Sequence, residues 1–213
     1  MMPSPQLGRH CGRRLRGVVG PHPQEENNIP ALAQFLDDDF EKDTSEPNPM
    51  SGGMLYGEGS SYRVGNFGVP KGSALIHPDN DTAESMLNSA QLPRAEQFEP
   101  DLVVVGPFGP HEPYAEVPIS NFAADYRQLI EHIQSFSSSP ALLICSPIPR
   151  DAVDNNTERR QIRDATLQVA ADMGIEVIDL WDEFLGRPEE FADQNHLNLT
   201  GRQHMAQVIA QAV

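Results

Sequence analysis

The sequence predicts an α/β protein: a three-layer α/β/α sandwich with a mainly parallel sheet. Two observations carry this. Short apolar or β-branched runs alternate with apolar stripes at helical spacing over most of the chain. The connections between them are a few residues long, and such alternation builds right-handed crossovers onto a parallel sheet with helices on both faces. The chain is long enough for one substantial domain, since 213 residues bury about 70% of the surface their unfolded form would expose.

Residues 1–16 hold Arg9, Arg13, Arg14 and Arg16 and no acid, which reads as a basic, poorly ordered tail ahead of a domain over 17–213. Asn28, Ile29 and Pro30 offer a cap and a first-turn proline, and Ile29, Leu32, Ala33, Leu36 and Phe40 repeat at helical spacing, so a first helix is expected over 29–40. The stretch 43–59 is rich in Pro, Gly, Ser and acids without period and reads as an exposed loop. Residues 62–67 and the run Leu102–Val105, led in by Pro100, read as buried strands. Phe122, Tyr126, Leu129, Ile130, Ile133 and Phe136 form one helical face that opens near Ser120 and ends before Pro140. A strand over 142–145 follows. Ile162, Ala165, Val169 and Met173 make the next stripe, with Asn156 or Thr157 to cap it and Gly174 to close it. Residues 175–180 read as a strand, and Thr200 is placed to cap a last helix in which Met205, Val208, Ile209 and Val213 face inward. In a sheet wound this way ligands bind beyond the carboxyl ends of the strands, so the residues after Phe67, Val105, Cys145 and Leu180 are where a site is expected.

Charge narrows the partners. A net charge of −16 repels phosphate backbones and anionic lipid surfaces, which argues against nucleic acid or a basic membrane anchor and for small neutral or cationic ligands. No run approaches the ~20 apolar residues of a membrane span. Lys42 and Lys71 are the only lysines, a bias shared by salt-adapted and ordinary acidic bacterial proteins. Cys11 and Cys145 lack metal-ligand spacing, and Cys145, in an apolar run, reads as a small hydrophobe. No metal or cofactor is expected. The first residues carry no apolar stretch of signal-peptide length, so a cytoplasmic protein is expected.

The sharpest chemical feature is Asp193, three residues before His196, in the loop that feeds the last helix. An Asp so placed can accept a hydrogen bond from the histidine Nδ1 and leave Nε2 to act as a general base. It can equally cap a turn while the histidine packs at the rim.

Residues 193–206, DQNHLNLTGRQHMA, resemble the last sequence block of the SGNH hydrolases, the GDSL esterase and lipase family. Residues 62–72, YRVGNFGVPKG, are similar to its second block, and 98–105, FEPDLVVV, to the strand leading into its third. The resemblance covers roughly 17–213. It implies a flavodoxin-like fold of the SGNH type and hydrolysis of acyl esters of carbohydrates or small alcohols, without a cofactor. Asp193 and His196 would be the acid and base. The nucleophile would be a serine in a Gly-Asp-Ser turn near the N-terminus, and the oxyanion hole would combine its amide with a glycine amide and an asparagine side chain. One such donor is worth about 3–4 kcal/mol.

The chain departs from that pattern. It contains no Gly-Asp-Ser, and the serine position falls at His22 or His10. Lys71 stands where the oxyanion glycine is expected, followed by Gly72, so Lys71 and Gly72 are the oxyanion-hole candidates. After Val105 the Gly-x-Asn-Asp of the third block is replaced by Gly106, Pro107, Phe108, Gly109, Pro110, His111 and Glu112, which leaves no asparagine donor unless His111 substitutes. Ser73 is the hydroxyl nearest the expected cleft and a candidate nucleophile, whereas Ser60 and Ser61 lie in a turn without nucleophile-elbow spacing. Grouping His111 and Glu112 with His196 around a metal would give a different hydrolase. Two explanations fit the missing serine: the first 17 residues are not the authentic start, or the chain is a catalytically inactive relative that binds a glycan or a protein partner.

Overall fold

Valine-rich runs make the middle of the sheet, because β-branched side chains suit a pleated surface that is covered on both faces. The computed structural model describes residues 18–19, 54–56, 64–69, 71–78, 83–153 and 156–213. The expected tail over 1–16 and the expected helix over 29–40 lie outside them. The strands, in chain order, are β1 (Val18–Val19), β2 (Met54–Tyr56), β3 (Val64–Asn66), β4 (Gly72–Ser73), β5 (Glu84–Ser85), β6 (Leu102–Val105), β7 (Ala141–Cys145) and β8 (Glu176–Ile178). Six of them form one sheet in the order β2-β3-β1-β6-β7-β8, while β4 and β5 pair separately.

All neighbours in the large sheet run parallel except β2, which lies antiparallel to β3 with Leu55 opposite Gly65. Without that edge strand, the parallel strands follow the doubly wound order 2-1-3-4-5, in which the winding direction reverses between β1 and β6. Val18 pairs with Val104 and Val19 with Val105, so the short strand β1 ends level with β6.

Among the described residues the α-helices are α1 (Gln91–Gln97), α2 (Phe122–Gln134), α3 (Thr157–Met173), α4 (Leu180–Phe184) and α5 (Leu199–Ala212). Alternation along the central strands splits the core in two, as the period-2 geometry of a strand requires. Val103, Val105 and Ile144 pack with Leu92, Phe122, Leu129, Ile130 and Ile162 from α1, α2 and α3. Val104, Leu143 and Cys145 pack on the other face with Leu180, Phe184, Met205 and Ile209 from α4 and α5. The result is three layers, α/β/α. Each large aliphatic side chain sealed there stabilises the fold by ~1.5–3 kcal/mol. Cys145 is 1% exposed and serves as one of these core residues.

Several element boundaries differ from the sequence reading. Met54–Tyr56, expected inside a loop, adds an antiparallel edge. Helix α1 was not expected; Pro93 lies in its first turn, where a missing N–H costs nothing, and Leu92 and Ala95 bury its inner face. The strand expected over 175–180 stops at Ile178, because Asp179 turns the chain and Leu180, Trp181 and Phe184, all buried, continue at helical spacing. The last helix is capped by Asn198, whose side chain accepts from the Gly201 N–H at 3.1 Å; Thr200 therefore sits inside the first turn and is not the cap. Val213, expected to face inward, is 47% exposed at the helix end. At α3 the cap is Asn156, accepting from the Arg159 N–H at 2.9 Å. Gly174 closes that helix at φ 65° and ψ 33°, a left-handed conformation that glycine enters without penalty. Among the described residues no helix is long and apolar enough to cross a membrane.

Candidate active site

Three loops leave the carboxyl ends of the strands on the α5 side of the winding reversal. After β6 the chain turns through Gly106 at φ 98°, where a Cβ would lie 2.7 Å from the Cys145 carbonyl oxygen, so the turn requires glycine. After β7 it runs to a short 3-10 turn, Arg150–Ala152. After β8 and α4 it doubles back through a Phe191–Leu197 bridge. The reversal is closed by the Ala192 N–H on the His196 carbonyl at 2.8 Å and tied to the β7 loop by the Asp151 N–H on the Gln194 carbonyl at 3.0 Å.

Asp193 and His196 face each other across that reversal. Asp193 Oδ1 accepts the backbone N–H groups of Asn195 at 2.8 Å and His196 at 2.9 Å. His196 Nδ1 lies 2.7 Å from Asp193 Oδ2. A carboxylate only accepts, so Nδ1 carries the proton in this contact and Nε2 is left with its lone pair on the neutral ring. The His196 side chain is 39% exposed and that of Asp193 57%, so the pair opens to solvent. Both readings of the spacing therefore coexist: one carboxylate oxygen closes the turn and the other orients the ring. Partial burial pushes the Asp193 carboxyl up, but the two backbone donors and the His196 ring outweigh it and hold the group below the ordinary carboxylate value. An imidazole held this way can take a proton at Nε2 from a hydroxyl brought to it.

The other residues singled out in the sequence fall out differently. Lys71 adopts φ 57°, so the backbone keeps a glycine-type conformation with a lysine in place. The Gly72 N–H is spent on the Val69 carbonyl at 3.0 Å. Ser73 is fully buried, and its Oγ accepts the Leu75 N–H at 3.1 Å; no hydrogen bond joins it to His196. His22 and His10 lie outside the described residues. Glu112 is fully buried in the loop after β6 and accepts the Ala74 N–H at 3.3 Å, and among the described residues no group of three or more His, Cys, Asp or Glu is gathered to hold a metal ion. His111, Glu112 and His196 do not come together as one.

Two features escaped the sequence reading. Ser146, the first residue past β7, donates its hydroxyl to Asp179 Oδ1 at 2.7 Å and accepts the Trp181 N–H at 3.2 Å. Arg163 Nε reaches the same Asp179 oxygen at 3.1 Å, with its guanidinium 5.7 Å from the centroid of the Trp181 ring. Partial burial pushes the Asp179 carboxyl up, but Arg163 and Ser146 together hold it below the ordinary value. This network fixes the ends of β7 and β8 and the start of α4. The second feature is Arg159, 5% exposed, whose Nη2 donates to Asn195 Oδ1 at 2.8 Å. A buried arginine gives no local sequence signal, since the residue type is mostly exposed.

The sequence model of the GDSL-like lipase/acylhydrolase family matches residues 72–204. No curated protein matches the chain. Among solved structures, the acetyl xylan esterase AlAXEase superposes with a TM-score of 0.61 at 17% identity, over 93% of this chain and 100% of that one. Est24, a carbohydrate acetylesterase from Sinorhizobium meliloti, gives 0.65 at 14% identity, over 94% and 98%. The periplasmic domain of a lipopolysaccharide acetyltransferase from Salmonella ser. Paratyphi A gives 0.61 at 14% identity, over 94% and 84%. At these identities the likeness is one of fold. The family match begins at Gly72, so it includes the Asp193–His196 turn and not β1 or residues 20–71.

Proposed function

Because the chain belongs to the GDSL-like lipase/acylhydrolase family, we propose that it hydrolyses acyl esters of carbohydrates or small alcohols, with His196 moving the proton and Asp193 orienting the ring. The observation that carries this is the 2.7 Å contact between His196 Nδ1 and Asp193 Oδ2 on a solvent-open turn. Nε2 takes the proton of the attacking hydroxyl as its oxygen bonds to the ester carbonyl. The imidazolium that forms is stabilised by Asp193, which stays ionised, and returns the proton to the leaving alkoxide; a water deprotonated at the same Nε2 then attacks the acyl group and releases it as the acid, regenerating the hydroxyl. Neither Ser73, which is sealed, nor Ser146, which is engaged with Asp179, supplies the attacking hydroxyl. The family pattern would put the nucleophile shortly past Val19, where the sequence has His22 in place of a serine. Of the two oxyanion-hole candidates, Lys71 and Gly72, Gly72 has given its amide to Val69. Carbohydrate acetyl esters enter as substrates through the names of the structural neighbours AlAXEase and Est24.

A second reading, an inactive relative that binds a glycan or a protein in the same cleft, is favoured by the absence of Gly-Asp-Ser from the sequence and by the engaged Gly72 amide. Turnover of p-nitrophenyl acetate by the purified full-length chain separates the two. Hydrolysis is expected from the parent, with a loss of about 10²–10⁴-fold on His196→Ala, the range for a general acid or base. Turnover unchanged in that variant contradicts the proposed roles. A parent that binds acetylated glycan without releasing acetate is the second reading.

A further inference from the structure

A small hollow of about 140 Å³ opens one residue away from His196, between Tyr114 of the β6 loop, Arg150 of the β7 loop, Glu158 and Arg159 at the start of α3, and Asn195. Its charge is unlike that of the whole chain. Arg159 Nη2 is held by Asn195, but its Nε and Nη1 are buried without a hydrogen-bond partner, as is Arg150 Nε, while Arg150 Nη2 donates to Gln194 Oε1. Three guanidinium nitrogens of two residues that line the hollow thus lack acceptors, and a buried donor left unmade is costly.

No acid of the described residues supplies the acceptor: no ion pair within 4 Å joins Arg159 or Arg150 to a carboxylate. Glu112 faces Arg159 electrostatically, but burial pushes its carboxyl up to about 7, so it is a weak counter-charge near neutral pH. Burial pulls Arg159 down to about 10, which leaves it charged there. The hollow also lies at the N-terminal end of the 17-residue helix α3, whose dipole favours a negative group.

We propose that this hollow binds a carboxylate group carried by the ester substrate, so that the protein acts on acylated acidic sugars or other ester acids. The planar fork of a guanidinium matches a carboxylate in two parallel hydrogen bonds. A phosphate dianion fits less well, because Glu158 lines the same hollow and Asp151 stands beside Arg150. The word substrate rests on the proposed hydrolysis; the carboxylate site itself is read by binding, without turnover, so the two can fail separately.

Titration calorimetry of the full-length protein at low ionic strength, with glucuronate, acetate, glucose and inorganic phosphate as probes, tests it. Glucuronate is expected to bind at least tenfold more tightly than glucose, and Arg150→Gln and Arg159→Met to weaken it at least tenfold. Should Arg159→Met fail to fold, the less buried Arg150→Gln carries the test. Acetate binding as tightly as glucuronate supports the site and assigns recognition to the acid group alone; weaker acetate binding supports it and adds the sugar. Glucuronate binding no better than glucose, binding unchanged in Arg150→Gln, or phosphate binding more tightly than glucuronate overturns it.

Discussion

One carboxylate, that of Asp193, is divided between a turn and a ring, and this division sets what its replacement should do. Asp193→Asn keeps an oxygen that can accept the Asn195 and His196 amides but presents an amide to the imidazole, which no longer fixes the Nδ1–H form. Folding is expected to survive, with the melting temperature within a few degrees of the parent, while kcat for p-nitrophenyl acetate falls by about 10²–10⁴-fold; equal losses of stability and activity would make Asp193 structural only. Glu112 calls for a different experiment. The folded state keeps its proton up to about pH 7, whereas the unfolded chain releases it near 4.5. Between those values the folded state binds more protons than the unfolded, so stability falls as pH rises. The shift amounts to ~3 kcal/mol at about 1.4 kcal/mol per pH unit. Glu112→Gln is expected to gain most over the parent at pH 8 and little near pH 5 in urea denaturation; parallel pH curves would disprove the burial effect. Asp193 and His196 were legible because three residues of spacing define their contact. The electrostatic influence of Arg159 on Glu112 was not, because it links distant segments and neither residue type announces its own burial.

At the scale of elements, the site turn is locked by the start of α5. Gly201 lies in the first turn of that helix, and a Cβ there would come within 2.3 Å of the Glu190 carbonyl oxygen, the acceptor that also takes the Asn198 N–H at 2.9 Å. Gly201→Ala must push helix and turn apart. A loss of ~1–3 kcal/mol is expected in chemical denaturation, together with a fall in kcat as His196 moves; full stability would mean that the helix shifts without cost. The sequence revealed elements with a clear period: the valine run of β6, the α2 stripe, and α3 with its glycine stop. It missed Met54–Tyr56, too short to show alternation, and α1, masked by an early proline. The end of β8 was overrun because apolar residues continue past Asp179, and only the Ser146 and Arg163 contacts show that this aspartate turns the chain.

For the molecule as a whole, 31 acidic side chains against 15 basic ones make self-repulsion a term in stability. Added monovalent salt screens exposed charges beyond about 10 Å at 0.1 M, so the melting temperature is expected to rise between low salt and 0.5 M sodium chloride; a fall would show that exposed ion pairs, such as Arg127 Nη2 with Asp172 Oδ2 at 2.8 Å, outweigh the repulsion. Alternation of strand and helix revealed the three layers, but not the strand order, because pairing across the sheet leaves no mark on the local period. The order puts the winding reversal beside β1, while Asp193 and His196, the proposed proton-transfer pair, stand on the loop after β8 and α4. That pair is the centre of the account. Its most direct test is ¹⁵N NMR of the His196 ring in the full-length protein, at a pH where the ring is neutral: a protonated Nδ1 and an unprotonated Nε2 are expected, with the preference lost in Asp193→Asn. A ring protonated at Nε2, or a tautomer mixture indifferent to that substitution, would contradict it.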